Sequence, residues 1–153
     1  MRTIHRDIVS ALLISKDGKL FQGFGNPARG GVYPDCWKIP GGGIEEGEDK
    51  ETALRREVKE ETGIDISPYR IELVEDGATG ESEKTLKEVN ERVLVKMNFY
   101  TYRVFIDDRN AVDIPVQLDD EFTRYEWHSV DELENFKLSP PSIALFKKLG
   151  YIS

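Results

Sequence analysis

The sequence predicts a single α/β or α+β sandwich, mixed strands around helices, in one domain spanning residues 1–153. Three observations lead there. The chain has 153 residues, the length of one ordinary domain. Runs of β-branched and aromatic residues alternate with segments of helical periodicity, and neither an internal repeat nor a linker divides them. A 39% hydrophobic and 10% aromatic composition is that of a globular chain, although 33% charged residues exceed the average domain.

The elements follow in order. Ile8 to Ile14 is aliphatic and β-branched, and Lys16-Asp17-Gly18 is turn chemistry leading into Leu20 to Phe24, so a strand, a turn and a strand are expected. Gly25 to Asp35 is crowded with Gly and Pro and predicts a long loop; Cys36 to Ile39 resumes a short strand that Pro40-Gly41-Gly42-Gly43 ends. From Glu48, Leu54 and Val58 recur at i, i+4 until Gly63, which predicts a helix of roughly fifteen residues. Strands return at Ile71 to Val74 and at Val93 to Ile106, the second interrupted near Asn98. Between them the polar segment Gly77 to Arg92 is expected to be a solvated excursion or long hairpin tip rather than a site. Asp107 to Asp120 is a loop, Arg124 to His128 a strand and Asp131 to Phe136 a short helix. A last helix has Ser139 as N-cap and Pro140 at N1, and Gly150 closes it.

Charge narrows the function. Lys plus Arg number 21 against 29 Asp plus Glu, a net charge of −8. That is the wrong sign for holding a nucleic acid polymer by neutralising many phosphates. An acidic protein that handles phosphates needs a metal cation in between. The one cysteine, Cys36, excludes an internal disulfide framework and a thiolate zinc site, which makes the reducing cytoplasm the expected compartment. No export signal is expected, and the apolar stretch Ile8 to Ile14 is too short to span a membrane. His5 and His128 lack the spacing of a metal pair.

The informative segment is Gly42 to Ile64, GGIEEGEDKETALRREVKEETGI. On a helix Glu57, Glu60 and Glu61 stand at i, i+3 and i+4, which puts three carboxylates on one face. They repel one another, so a solvated helix gains nothing from the arrangement. A hard divalent cation reverses the sign, and oxygen-only ligands suit Mg2+ or Mn2+. Gly41, Gly42 and Gly43 let backbone approach a metal or a phosphate closely. Around the cluster lie Arg56, Glu48, Gly42 and Gly63, in the spacing G-x5-E-x7-R-E-U-x-E-E-x-G-U with Val58 and Ile64 as the aliphatic positions. With seven fixed residues, a chance match is on the order of one in a million.

This segment resembles the Nudix box, and the order of strands and loops on both sides is similar to the Nudix fold. The resemblance implies a mixed β-sheet sandwiched between helices, and hydrolysis of a nucleoside diphosphate linked to another moiety, releasing a nucleoside monophosphate and the phosphorylated moiety. It implies Glu57 and Glu61 as principal metal ligands, Glu60 as a further ligand or orienter, and the carbonyl of Gly41 as a completing ligand. Arg56 and Glu48 look like the pair that braces the loop against the helix, and Gly42 and Gly63 bracket it where the chain turns. Members similar to the MutT type carry a glutamate ahead of a Trp-bearing strand. Glu121, six residues before Trp127, stands there and could be a general base, an extra metal ligand or a solvated loop residue.

Arg29, Tyr33 and Lys38 are candidates for substrate binding, with exposed loop positions as the plainer alternative. Trp37 could stack a base or pack in the core. The MutT pattern has a lysine after the box glycine and an asparagine leading into the final helix, where this chain has Gly43 and Ser139. That departure speaks against specificity for oxidised guanine nucleotides. The expected activity is Mg2+- or Mn2+-dependent cleavage of a phosphoanhydride in a nucleoside triphosphate or small nucleoside diphosphate derivative, with no membrane and no nucleic acid polymer as partner, by a monomer or homodimer. The alternative is a domain of the same family that binds or senses a nucleotide without cutting it.

Overall fold

A computed structural model of the chain describes residues 1–29, 33 and 35–153. The described strands are β1 (Arg2–Ser15), β2 (Leu20–Gly25), β3 (Trp37–Lys38), β4 (Gly41–Gly43), β5 (Arg70–Leu86), β6 (Glu91–Ile106) and β7 (Phe122–His128). The α-helices are α1 (Lys50–Thr62) and α2 (Pro140–Lys148), with 3-10 turns at Pro27–Arg29, Ala111–Asp113 and Val130–Asn135.

The sheet is mixed. Its order is β3-β2-β1-β6-β5, with β4 paired to β1 and β7 paired to β2. β1 runs parallel to β6 along all 14 of its residues, and β6 runs antiparallel to β5. On its other edge β1 divides itself: Ile8, Val9 and Ser10 pair with β4, and Ile14 pairs with β2. The sheet therefore forks, which leaves room between its branches.

Alternation along β1 builds both layers. Val9, Ala11 and Leu13 pack with Ala53, Leu54 and Val58 of α1 and with Tyr102 and Val104. Leu12, on the opposite face, joins Leu20, Trp37, Leu133 and, from α2, Leu145 and Phe146. Burying one such leucine or valine contributes about 1.5–3 kcal/mol. The sheet thus lies between a helix on each face, as the resemblance implies.

α1 forms where its ends are satisfied. Asp49 accepts a hydrogen bond from the Thr52 amide at 2.8 Å, and Gly63 turns left-handed at φ 75°, its amide donating to the Lys59 carbonyl. The helix is two residues shorter at its start than the expected onset at Glu48, because Asp49 takes the capping position. α2 has the expected caps in Ser139 and Pro140.

Of the two forms expected for Gly77 to Arg92, the long hairpin tip is the one found: strand pairing continues to Leu86↔Glu91, so most of the segment belongs to the long β5–β6 ribbon. Other expectations are corrected. β6 runs through Asn98 without a break, and the irregularity falls on its partner, between Leu73 and Ala78. Gly41–Gly43 does not merely end a strand but is itself paired to β1. The short helix expected at Asp131 to Phe136 is present as a 3-10 helix, Val130–Asn135, opened by a capping box between Ser129 and Glu132.

Candidate active site

The site is assembled where α1 lies on β4. A Cβ on Gly42 would sit 2.5 Å from the Glu57 carboxylate, and one on Gly41 would sit 2.2 Å from the Val9 carbonyl oxygen. Only glycine allows the helix, this strand and β1 to approach so closely. One turn beyond Glu57, Glu61 Oε1 accepts a hydrogen bond from the Gly41 amide at 2.8 Å. The two carboxylates are thus held directly against the backbone of the glycine strand.

Arg56 fastens the loop between β4 and α1. Its Nε and Nη2 donate to Glu48 Oε2 and Oε1 at 2.7 and 2.9 Å, and Nη2 also donates to the Gly43 carbonyl at 3.1 Å. This bidentate pair is the strong kind of ion pair. It holds the Glu48 carboxyl down at about 2, helped by the Glu45 amide, and raises the Arg56 guanidinium. The remaining nitrogen, Nη1, donates to Glu57 Oε1 at 3.0 Å and Glu60 Oε2 at 3.4 Å.

Electrostatics mark the cluster. Glu61 is only 5% exposed, and burial raises its carboxyl well above the usual range; the Gly41 amide opposes this, while the charges of Glu121, Glu57 and Asp119 push it further up. Burial likewise raises Glu57, against the pull of Arg56 and with a push from Glu60 and Glu121. The α1 face and the loop before β7 therefore converge on one acidic spot. Glu121 is placed there by its own amide on Asp119 Oδ1 at 2.9 Å and by the Asn26 amide on its carbonyl at 3.1 Å. Lys38 Nζ reaches Glu121 Oε1 at 3.5 Å.

Beside this spot opens a cavity of about 600 Å³. Glu61, Gly41, Lys38 and Glu121 line one side, and the ribbon residues Ala78 to Ser82 with Met97 and Phe99 line another. Tyr33, 37% exposed, also borders it. Trp37 does not: it is buried among Phe24, His128 and Phe136, which settles it as core. Arg29 ends a 3-10 turn, and its side chain, like residues 30–32 and 34 of the glycine-rich loop, lies outside the described residues. Sequence reasoning missed Asn26 and the whole ribbon wall. The small residues Ala78, Gly80 and Ser82 at alternate positions were the available signal for a strand whose face lines a site.

The donor set fits a hard cation. Glu57, Glu60, Glu61, Glu121 and the Gly41 carbonyl offer oxygen only, and the mutual repulsion of the carboxylates is what a divalent ion would relieve. Among the described residues no three such groups are already gathered as a metal-holding cluster. Their present partners explain this: Arg56 draws Glu57 and Glu60 to itself, and the Gly41 amide holds Glu61.

A family model described as NUDIX domain matches residues 4–149. The RNA pyrophosphohydrolase of Caulobacter vibrioides (strain NA1000 / CB15N) is 29% identical over 151 residues, covering 96% of this chain and 81% of that protein. The nucleoside triphosphatase NudI of Salmonella schwarzengrund is 32% identical over 117 residues, 71% of this chain and 72% of the relative. Among solved structures, the MutT protein from Methanosarcina mazei Go1 superposes with a TM-score of 0.59 at 20% identity, covering 97% of this chain and 94% of that one. The E. coli dihydroneopterin triphosphate pyrophosphohydrolase gives 0.65 at 17% identity, covering 93% and 92%.

Proposed function

Because the chain belongs to the NUDIX family and is a Nudix hydrolase, we propose that it cleaves a phosphoanhydride bond of a nucleoside triphosphate or another small nucleoside diphosphate derivative, with Mg2+ or Mn2+, and releases a nucleoside monophosphate. The observation that carries this is the pair of carboxylates, buried Glu61 and half-buried Glu57, pressed onto the Gly41–Gly42 backbone beside a cavity of about 600 Å³. That volume suits one nucleoside with its phosphates.

Glu57 and Glu61, with Glu60 and the Gly41 carbonyl, would hold the cation. When bound, it supplies positive charge against the phosphates and makes water more acidic. Arg56 and Glu48 act on positioning: they lock the loop that presents Gly41 and Gly42. Glu121 receives the proton of the attacking water, and Lys38, 3.5 Å from it, meets a phosphate oxygen on the same side of the cavity. Tyr33 and Arg29 complete the substrate contacts from the loop. We further infer one domain over residues 1–153, acting as a monomer or homodimer in the cytoplasm; no described helix is long and apolar enough to cross a membrane.

A second reading is suggested by the relative named as an RNA pyrophosphohydrolase, which aligns along 96% of this chain. The net charge of −8 and the acidic side chain of Glu81 on the cavity wall disfavour a polyanionic chain there. The test is a panel of nucleoside triphosphates and a 5′-triphosphorylated RNA, each with Mg2+ and with EDTA. Monophosphate and pyrophosphate from the small nucleotides, only with metal, are expected. Preferential cleavage of the RNA would establish the second reading, and binding without any cleavage would point to a non-hydrolytic nucleotide-binding domain.

A further inference from the structure

The floor of the cavity is a three-strand face laid out in rows. At one end Ser10, Thr101 and Glu75 lie side by side, and in the next row come Ile8, Phe99 and Ala78. Ser10 and Thr101 satisfy each other at 2.9 Å. The Phe99 ring spreads over Gly80, where a Cβ would come within 3.0 Å of it, so a flat apolar platform adjoins the polar end.

Glu75 is the unusual member of that end. In the regular register set by Leu73↔Tyr102, Val74 would face Thr101; the shift between Leu73 and Glu75 puts Glu75 there instead, and a second shift follows before Ala78. Such bulges re-aim a side chain. The carboxylate is 5% exposed, lines the cavity and accepts the Gly77 amide on Oε1 at 2.7 Å. Oε2 pairs with the ammonium of Lys148, from the last turn of α2. Lys148 and the Gly77 amide hold the group below the usual carboxylate range, so it is an acceptor only. Lys148 itself is 63% exposed and lines the same cavity, on a stem free to turn.

We propose that Glu75 and Lys148 form a specificity-determining pair for a base of the guanine type, one that presents a carbonyl beside two adjacent N–H donors. The inference rests on the hydrolase reading of the site and names its substrate class. The carboxylate accepts from N1–H and the 2-amino group, the ammonium donates to O6, and the ring lies on Phe99. Adenine offers one donor and no carbonyl to the same pair. Hypoxanthine lacks only the 2-amino group and ranks between them.

The test is kcat/KM for GTP, ITP and ATP with the wild type, Glu75→Gln and Lys148→Met. The wild type is expected to prefer GTP over ATP by about tenfold or more, as hydrogen bonds to charged groups require. Glu75→Gln keeps the shape of the side chain and is expected to remove most of that ratio through KM. Lys148→Met, at the exposed end of α2, is expected to lower the same ratio by loss of the O6 donor. A wild type that treats GTP and ATP alike within about twofold, or a Glu75→Gln loss shared equally by all three nucleotides, would overturn the proposal. Equilibrium binding of the three nucleotides with Ca2+ in place of Mg2+ reads the same order without turnover. Absent hydrolysis with the order G over I over A intact would therefore count against the hydrolase reading and leave the base assignment standing.

Discussion

Glu57 answers to two demands at once, since its carboxylate must stay close to the Gly42 backbone and yet carries a charge that burial, Glu60 and Glu121 all oppose. Arg56 offsets this by its charge and through a 3.0 Å hydrogen bond. Glu57→Gln removes a ligand charge with little change of shape, and kcat is expected to fall by at least about 10²-fold. The same substitution relieves repulsion, so the melting temperature in EDTA should stay level or rise. Steady-state kinetics and thermal melts check both halves; near-wild-type turnover would remove the α1 face from the chemistry. The three box glutamates were legible in sequence because i, i+3 and i+4 spacing places them on one helix face whatever else the chain does. Glu75 was not, because its face depends on a bulge that only pairing with β6 creates.

At the scale of the element, α1 and the loop before it act as one piece through Glu48 and Arg56. The Glu48 carboxyl lies at about 2 in the fold against an ordinary 4.5, with the Arg56 hydrogen bonds as the main cause. A depressed carboxyl contributes stability that is present above pH 4.5 and is lost as pH falls toward about 2. Urea denaturation between these limits should therefore lose midpoint as pH falls, and Glu48→Gln should flatten that part of the profile while starting less stable at neutral pH. An unchanged acid limb in the variant would contradict the brace. The span of α1 could be read from Leu54, Val58 and Gly63, all local signals. The outer half of β5 could not, since residues such as Glu81, Glu83 and Lys84 carry little apolar pattern and become a strand only by pairing with β6.

For the molecule as a whole, a ligand that binds only the folded state raises its stability. Mg2+ at a hundredfold above its dissociation constant would add about 2.7 kcal/mol, or about 5–10 °C in a chain of this size. A metal-dependent melt should show that rise in the wild type and lose it in Glu57→Gln, whereas equal curves with Mg2+ and EDTA would deny a cation any place in the fold. The long parallel pairing of β1 with β6 has a consequence for biosynthesis. Each of its partners is separated by 91 residues of chain, as in Arg2↔Val93. At about 5–20 residues per second, a ribosome needs roughly 5–20 s to make that interval. Throughout it Val9, Ala11, Leu12 and Leu13, all fully buried in the finished protein, have no β6 to lie against. The nascent strand is thus a standing target for chaperones, and slowing elongation between β1 and β6 should lower the soluble yield more than the same delay placed after Ile106.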